Sequence, residues 1–266
     1  MNNGGISMLH IKELEDYEKN ISYSKYYYME MEKQPKDSLE KIMEGPIESQ
    51  EALTIENKDK LLKIGYLDAE VGHCIMDNGT GFVSNIITMP KVTKEMFDWW
   101  FVWHGLEPLR YKIWNREDHF GIKTTKQERL LDKNIPMEER IWGVTHTIDE
   151  DTGFGSKTIH INFMSPEDMG FDMKLLKQSN VLSIVSGNGD DAVMCHLIRA
   201  VEHGIELRSR FWIGYNIVDK KPVKILPEGD KVALEVAKRL LLHNIKEYSN
   251  LAKILPSVYE EEKYKE

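Results

Sequence analysis

The spacing of apolar and polar positions changes near residue 76 and divides the sequence into two parts. Before this point, residues 9–32, 38–43 and 50–64 have the composition and spacing of short, acidic helices. Pro35 and the Gly45-Pro46 pair separate them, because both residue types interrupt helices. The three segments carry too few apolar residues for a large core of their own. We therefore expect them to pack on the rest of the chain or on a second copy of it.

Strands dominate the pattern after the turn-rich stretch at residues 77–81. Apolar runs and alternation predict strands at residues 82–89, 141–148, 157–164, 181–186, 191–201 and 205–217. Turns at Gly187-Asn188-Gly189 and at His203-Gly204 join the last three strands as antiparallel hairpins. With His203-Gly204 as a two-residue turn, residues whose numbers sum to 407 face each other, so His196 is expected to pair with Phe211.

Helix signals flank these strands on both sides. Thr93 is a suitable N-cap for a helix from Lys94 to about residue 106, and residues 165–168 carry the cap, first-position proline and acidic first turn of another helix start. A long amphipathic helix is predicted from about residue 230 to residue 248, with an extension as far as residue 255. This order of elements indicates an α+β fold in which a curved antiparallel sheet closes over the terminal helix. Such an arrangement can enclose a cavity for an apolar ligand.

Composition and charge narrow the classes of function. The 266 residues are 41% hydrophobic and 30% charged, which is typical of a folded globular chain. The net charge of -9 and the lack of a basic patch argue against a nucleic-acid partner. The densest apolar stretch, residues 99–103, is far shorter than the ~20 residues of a membrane span, and no secretory signal is visible. Cys74 and Cys195 form no disulfide framework or CxxC site, so we expect a cytoplasmic location.

His243 and Glu247 are the first candidates for chemistry. Their i, i+4 spacing places both on one face of the terminal helix, where they interrupt an otherwise apolar stripe. Burial of either group without a partner is costly. A metal ion would satisfy both, since imidazole nitrogen and carboxylate oxygen are normal zinc ligands. A simple His–Glu hydrogen bond and a solvated helix face are the alternatives.

Other ligand candidates are less well defined by position. His104 closes an aromatic helical stripe, either as a core histidine bonded to a carbonyl or as a ligand. Glu139 stands just before a predicted strand and could point inward there. Glu138 has the opposite strand parity, and Glu150 lies in a predicted turn. Position alone leaves the choice of carboxylate open.

His196 is a separate candidate in the strand at residues 191–201. Alternation places it on an apolar face with Met194 and Ile198. It is therefore either a satisfied core residue or a pocket base whose pKa can be tuned near neutrality.

Four stretches together resemble the 2,4-diacetylphloroglucinol hydrolase family. They are residues 77–82, 96–114, 206–214 and 243–248, and the resemblance runs from about residue 65 to residue 258. The most specific of them is the string Trp-His-Gly-Leu-Glu-Pro-Leu-Arg-Tyr-Lys-Ile-Trp at residues 103–114. The resemblance implies a Bet v1-like (START-type) helix-grip domain over residues 76–266. It also implies a small helical domain over residues 1–75, for which we predict a role in homodimerisation.

The same resemblance implies a zinc-dependent enzyme. The family binds one Zn²⁺ through two histidines and two glutamates, and it cleaves the carbon–carbon bond between an acyl group and a phenolic ring. Residue by residue, His104, His243 and Glu247 match the ligands, Glu139 fills the fourth place, and His196 matches the family's pocket histidine. We expect His196 to move protons during catalysis.

Some residues depart from the family pattern. Met96 and Phe211 fall where the family has tyrosines that hold the phenolic substrate, and Glu107 falls where it has a pocket asparagine. We assign Met96, Trp100 and Phe211 to substrate binding, and Glu107 to catalysis beside His196. Because these departures do not affect the predicted metal ligands, we expect the same reaction class. They leave the identity of the substrate open, and we expect an acylated phenol or a polyketide-like molecule. The alternative function is a non-catalytic helix-grip carrier or sensor for an apolar aromatic ligand.

Overall fold

One large antiparallel sheet organises the molecule. The computed structural model describes residues 11–265. The strands of this part of the chain are β1 (Gly72–Ile75), β2 (Gly81–Pro90), β3 (His119–Thr124), β4 (Thr145–Glu150), β5 (Lys157–Met164), β6 (Val181–Asn188), β7 (Ala192–Val201), β8 (Gly204–Ile213), β9 (Tyr215–Val218) and β10 (Lys221–Lys224). Eight of them form the sheet in the order β1-β2-β8-β7-β6-β5-β4-β3, and β9 pairs with β10 in a separate hairpin.

Most α-helices of this part of the chain pack on one face of the sheet, and the helix at Met173–Gln178 packs on the other. They are α1 (Lys25–Tyr28), α2 (Lys36–Glu44), α3 (Lys94–Trp103), α4 (Pro108–Trp114), α5 (Gln127–Leu131), α6 (Met173–Gln178) and α7 (Leu234–Glu262). Side chains of α7 such as Leu241 and Ile245 share one apolar core with Ile148, Val185 and Phe211 of the sheet. The fold is therefore α+β and helix-grip-like, as predicted. Among the helices of residues 11–265, none combines the length and the apolar composition that a bilayer span requires.

The segment before β1 packs against the same core. Tyr23, Tyr26 and Tyr27 belong to the apolar cluster that contains α7. The Glu32 N–H donates to Asn250 Oδ1 at 3.1 Å, and Gln34 Nε2 donates to the Leu242 carbonyl at 3.2 Å. These contacts align the segment along α7. The domain boundary near residue 75 and the dimerisation role stay predictions.

A second apolar cluster fills the opposite face of the sheet. Ile55, Leu61 and Leu62 pack there against Cys195 and Trp212. The segment that supplies the first three residues forms 3-10 turns at Ser49–Glu51 and Ile55–Leu62, where an α-helix over residues 50–64 was predicted. Burial at residues 55, 58 and 61 has a period of three, which is the period of a 3-10 helix.

The predicted helix over residues 9–32 is wrong within the described part of the chain. Residues 11–32 contain only a 3-10 turn at Glu18–Asn20 and the short α1, and residues 9 and 10 lie outside the described residues. Tyr23, Tyr26 and Tyr27 are all buried and have the i, i+3, i+4 spacing of a helical face, which favoured the helix prediction. Only Tyr26 and Tyr27 lie in α1, because Tyr23 belongs to the turn that precedes it.

The helix start predicted at residues 165–168 is also wrong. Those residues form turns, and Gly170 follows with a φ of 77° in the left-handed region. Helix α6 begins at Met173, where the Asp172 side chain accepts hydrogen bonds from the N–H groups of Lys174 and Leu175. The cap-like composition of residues 165–168 thus serves a turn, since the same residue types favour both.

The β7–β8 hairpin differs from its predicted register by two residues. Val201 pairs with Gly204, so Glu202 and His203 form the turn, and His196 faces Ser209 rather than Phe211. Gly204 also pairs with Pro90 of β2, where a Cβ would stand 2.3 Å from the Met89 carbonyl oxygen. The glycine is needed for this close approach and not for the turn. A shift of two residues preserves strand parity, so His196 keeps its predicted face.

Candidate active site

Two imidazoles and two carboxylates meet between the sheet and α7. The ligand atoms of His119, His243 and Glu247 lie within 4.8 Å of one another, and all three residues are buried. His119 Nε2 is 3.4 Å from His243 Nε2 and 3.6 Å from Glu247 Oε2. Glu150 Oε2 lies 3.9 Å from His119 Nε2 and 3.8 Å from His243 Nε2. We call these four residues the imidazole–carboxylate cluster.

Local structure explains how the four residues converge. His243 and Glu247 are one turn apart on α7. His119 opposes Glu150 across the β3–β4 pair, and the next pair is Gly121 with Asp149, so Phe120 is an extra residue in a β-bulge. Because of the bulge, His119 and Ile122 are both buried although three positions separate them. The strand pair and the helix therefore each supply two groups.

An outer partner fixes each member of the cluster. His119 Nδ1 lies 3.1 Å from the Tyr111 carbonyl oxygen, and His243 Nδ1 lies 3.2 Å from Asp118 Oδ2. Tyr111 Oη donates to Glu150 Oε2 at 2.5 Å. Asn244 Nδ2 donates to Glu247 Oε1 at 3.0 Å. These bonds leave both Nε2 atoms and Glu247 Oε2 for a shared cation, whereas Glu150 Oε2 faces the imidazoles and also accepts the Tyr111 hydrogen bond. Outer bonds of this kind are typical of metal-binding histidines.

Burial and neighbouring charges shift the pKa values of the cluster members in different directions. Burial lowers the pKa of His119 well below its ordinary value. Burial has the same tendency at His243, but the hydrogen bond to Asp118 and the charges of Glu150 and Glu247 raise its pKa instead. Burial raises the pKa of Glu247, and the Glu150 charge adds to this effect. A bound cation would neutralise the carboxylates without these protons, so the donor set fits a metal ion such as Zn²⁺.

A cavity of about 70 Å³, which we call the aromatic cavity, adjoins the cluster. Its wall is mainly apolar and aromatic, with Phe101, Phe163, Met194 and Phe211 among the lining residues. Three further imidazoles line it, those of His104, His146 and His196. His196 Nδ1 is 2.8 Å from Ser209 Oγ, and burial lowers the pKa of His196 to about 3. An aromatic wall with a few fixed polar groups is typical of a site for a small aromatic ligand.

An open cleft of about 790 Å³ lies on the other side of His243. Polar residues line it, including Asp118, whose carboxylate Lys246 contacts at 3.0 Å. The loop between β4 and β5 borders this cleft, where Arg239 donates to the Gly153 carbonyl and stacks 4.7 Å from the Phe154 ring. His243 therefore lies between the open cleft and the aromatic cavity.

The structure places some of the sequence-predicted residues in the cluster, some on the cavity wall and others away from both. His243 and Glu247 are in the cluster, whereas His104, His196 and Phe211 line the cavity. His104 does not join the group of convergent ligand atoms, because its Nδ1 lies 2.7 Å from the Trp100 carbonyl oxygen and holds the ring there.

Glu139, Glu107, Met96 and Trp100 are not among the residues that line the cavity. Glu139 ends a 3-10 turn, and its carbonyl accepts a hydrogen bond from Arg129. The carboxylate of Glu107 accepts one from Tyr23. Met96 packs against the outside of the main core, and Trp100 is fully buried within it.

Sequence reasoning missed His119 and left Glu150 as an alternative. Strict alternation from Phe120 and Ile122 places His119 on the opposite face, and the bulge reverses that assignment. Glu150 was assigned to a turn, but β4 extends to it. A signal for the bulge could have recovered His119, and a strand end two residues beyond the predicted residue 148 would have included Glu150.

The fold and the cluster together define a class of protein, namely a helix-grip-like chain with a buried histidine–glutamate centre beside an aromatic cavity. The DAPG hydrolase PhiG domain family matches residues 53–260. The chain is 39% identical to phloretin hydrolase of Eubacterium ramulus over 253 residues, which cover 92% of each chain. The chain thus belongs to the DAPG hydrolase family, as the resemblance implied.

Two other relatives carry the name 2,4-diacetylphloroglucinol hydrolase. The protein from Pseudomonas protegens is 29% identical over 262 residues, which cover 91% of this chain and 85% of the relative. A second, from Pseudomonas sp., is 29% identical and covers 91% of this chain and 89% of its own length. All three relatives are hydrolases by name.

Proposed function

We propose that this protein is a metal-dependent hydrolase that cleaves the carbon–carbon bond between an acyl group and a polyhydroxylated phenolic ring. The observation that supports this most is the imidazole–carboxylate cluster at the wall of the aromatic cavity. The names of the relatives support the substrate class, since phloretin and 2,4-diacetylphloroglucinol are both acyl derivatives of phloroglucinol. The higher identity to phloretin hydrolase makes phloretin the first substrate to test.

The metal would be held by His119, His243, Glu247 and Glu150. This proposal replaces His104 and Glu139, because the convergent atoms belong to His119 and Glu150 instead. When bound, Zn²⁺ would supply Lewis acidity toward the acyl carbonyl and toward water. Tyr111 and Asp118 would hold the Glu150 carboxylate and the His243 ring in their orientations through these contacts.

The cavity residues would carry the remaining chemistry. Phe101, Phe163 and Phe211 would bind the ring and exclude bulk water. Water adds to the acyl carbonyl of the ring's keto tautomer, the bond from that carbon to the ring breaks, and the electron pair stays on the ring carbon, which takes a proton. The products are a carboxylic acid and a phenol with one acyl group fewer. A neutral His196 could move a proton between the phenolic oxygen and the ring carbon, since burial lowers its pKa to about 3.

Metal content and phloretin hydrolysis test this proposal together. Elemental mass spectrometry of the purified wild type should give about one equivalent of zinc per chain, as a single four-ligand site predicts. His119→Ala and His243→Ala should each lose the metal and reduce kcat/KM for phloretin by at least about 1,000-fold, since the loss of one ligand opens the site.

Glu139→Ala is the matched control, because Glu139 is a glutamate that our proposal removes from the ligand set. It should keep both the metal and the activity. Full metal retention in His119→Ala and His243→Ala would contradict the site. Tight phloretin binding without hydrolysis by a metal-free wild type would instead support the carrier or sensor function.

A further inference from the structure

His104 is a cavity imidazole to which the proposed reaction assigns no role. It directly follows α3, is 2% exposed and lines the aromatic cavity. It is absent from the group of convergent ligand atoms around His119 and His243. A buried polar ring on a ligand cavity needs a partner for each nitrogen, because an unsatisfied buried group is costly.

One nitrogen of His104 already has a partner. Nδ1 lies 2.7 Å from the Trp100 carbonyl oxygen, which can only accept a hydrogen bond. Nδ1 therefore carries the proton of the neutral ring, and Nε2 carries the lone pair. Burial supports the neutral form, since it lowers the pKa of His104 to about 4.

Aromatic neighbours hold the His104 ring in this orientation. Trp100 stacks on it with centroids 5.6 Å apart and an interplanar angle of 17°. Trp114 and His146 contact it edge to face at 5.3 and 5.2 Å. A ring that is fixed on three sides and bonded at Nδ1 offers a preorganised acceptor.

We propose that His104 Nε2 accepts a hydrogen bond from a phenolic hydroxyl group of the bound ring and so selects for polyhydroxylated substrates. This inference rests on the proposed function for the class of ligand, and it deepens that function by naming a residue that determines specificity. A neutral acceptor favours a free hydroxyl over a hydrogen or an ether oxygen at the same ring position, because neither of these can donate.

Calorimetric binding of phloroglucinol and benzene tests the proposal, since benzene has no hydroxyl group to donate to His104 in any orientation. We compare wild type with His104→Met, which lacks a strong acceptor, and with His104→Gln, which has similar length and retains one. His203→Met is the matched control, because His203 lies in the β7–β8 turn with a side chain that is 81% exposed. Thermal unfolding and metal content are measured for each variant.

The ratio of phloroglucinol affinity to benzene affinity should fall about tenfold in His104→Met, the change expected for one buried hydrogen bond, with the metal retained. His104→Gln should recover part of this ratio, and His203→Met should leave it unchanged. An unchanged ratio in His104→Met overturns the proposal. Loss of metal in His104→Met and His104→Gln overturns it too, since His104 would then be a ligand.

The outcomes separate this inference from the proposed function. A wild type that binds phloroglucinol through His104 but hydrolyses no acylphenol supports the inference and contradicts the function. A wild type that hydrolyses phloretin, with the same phloroglucinol-to-benzene ratio in His104→Met, supports the function and overturns the inference. A folded wild type that binds no phloroglucinol overturns the inference as well.

Discussion

Asn244 shows how a single buried side chain orients a carboxylate of the imidazole–carboxylate cluster. Its Nδ2 donates to Glu247 Oε1, and its Oδ1 accepts a hydrogen bond from Asn85 Nδ2 at 3.0 Å. The bond occupies one carboxylate oxygen, so Glu247 Oε2 is the atom that faces His119 and His243. Sequence reasoning identified Glu247 from its spacing but could not identify this partner, because Asn85 lies on β2, far away in the chain.

We predict that Asn244→Leu weakens zinc binding by roughly 10- to 100-fold, the usual effect of removing an outer partner of a ligand. Competition with a chromogenic chelator measures it. Asn250→Leu is the matched control, since Asn250 is a buried asparagine of α7 that bonds to the Ile113 and Trp114 carbonyls. It should lower stability but leave zinc affinity unchanged. Equal zinc affinity in both variants would contradict the positioning role.

At the scale of elements, the sequence predicted the regular strands well and the irregular ones poorly. Strand β5 matches its predicted limits at residues 157 and 164, and β2 differs by one residue at each end. Strand β1 was missed inside a stretch expected to be helical, and β3 was missed because its bulge removes the alternation. The cluster depends on that bulge, so the least predictable strand carries His119, the cluster member that sequence reasoning did not find.

Gly187 provides a test of how tightly β5 and β6 pack. A Cβ at this position of β6 would stand 2.3 Å from the Asn162 carbonyl oxygen of β5. We predict that Gly187→Ala lowers the free energy of unfolding by about 1–3 kcal/mol, because the backbone of β5 must move. Urea unfolding measures the change. In the control Gly121→Ala, the new Cβ meets only the tip of the Asp149 side chain at 3.3 Å, so the loss should be clearly smaller. Equal losses would argue against a steric cause.

For the whole molecule, Glu70 links the segment before β1 to the centre of the sheet. Its carboxylate contacts Arg208 and Arg210 of β8, whose side chains are both fully buried. Burial alone would raise the pKa of Glu70, but the charges of Arg210 and Arg208 and their hydrogen bonds lower it from 4.5 to about 2. The N-terminal segments were expected to pack on the rest of the chain or on a second copy of it, but nothing in residues 206–210 indicated which acid contacts Arg208 and Arg210.

We predict that Glu70→Gln costs about 3–5 kcal/mol of stability at pH 7, because two buried guanidinium groups lose their carboxylate. In the wild type, the lowered pKa contributes stability that is complete above pH 4.5 and is lost as the pH falls toward 2. Urea unfolding at pH 7, 5 and 3 should therefore show a smaller acid-dependent loss in Glu70→Gln than in wild type. Parallel pH profiles of the two proteins would contradict this.

The small size of the aromatic cavity affects which conformations of the protein can hold an aromatic ring. At about 70 Å³, it is smaller than the roughly 150 Å³ that a protein cavity offers to benzene, so an aromatic ring enters only a minor, expanded conformation. The apparent dissociation constant is then the intrinsic one divided by the fraction of molecules in that conformation. A substitution that loosens the wall, far from any contact with the ring, would tighten apparent binding while it weakens the fold. Affinity and stability should thus change in opposite directions across such a series.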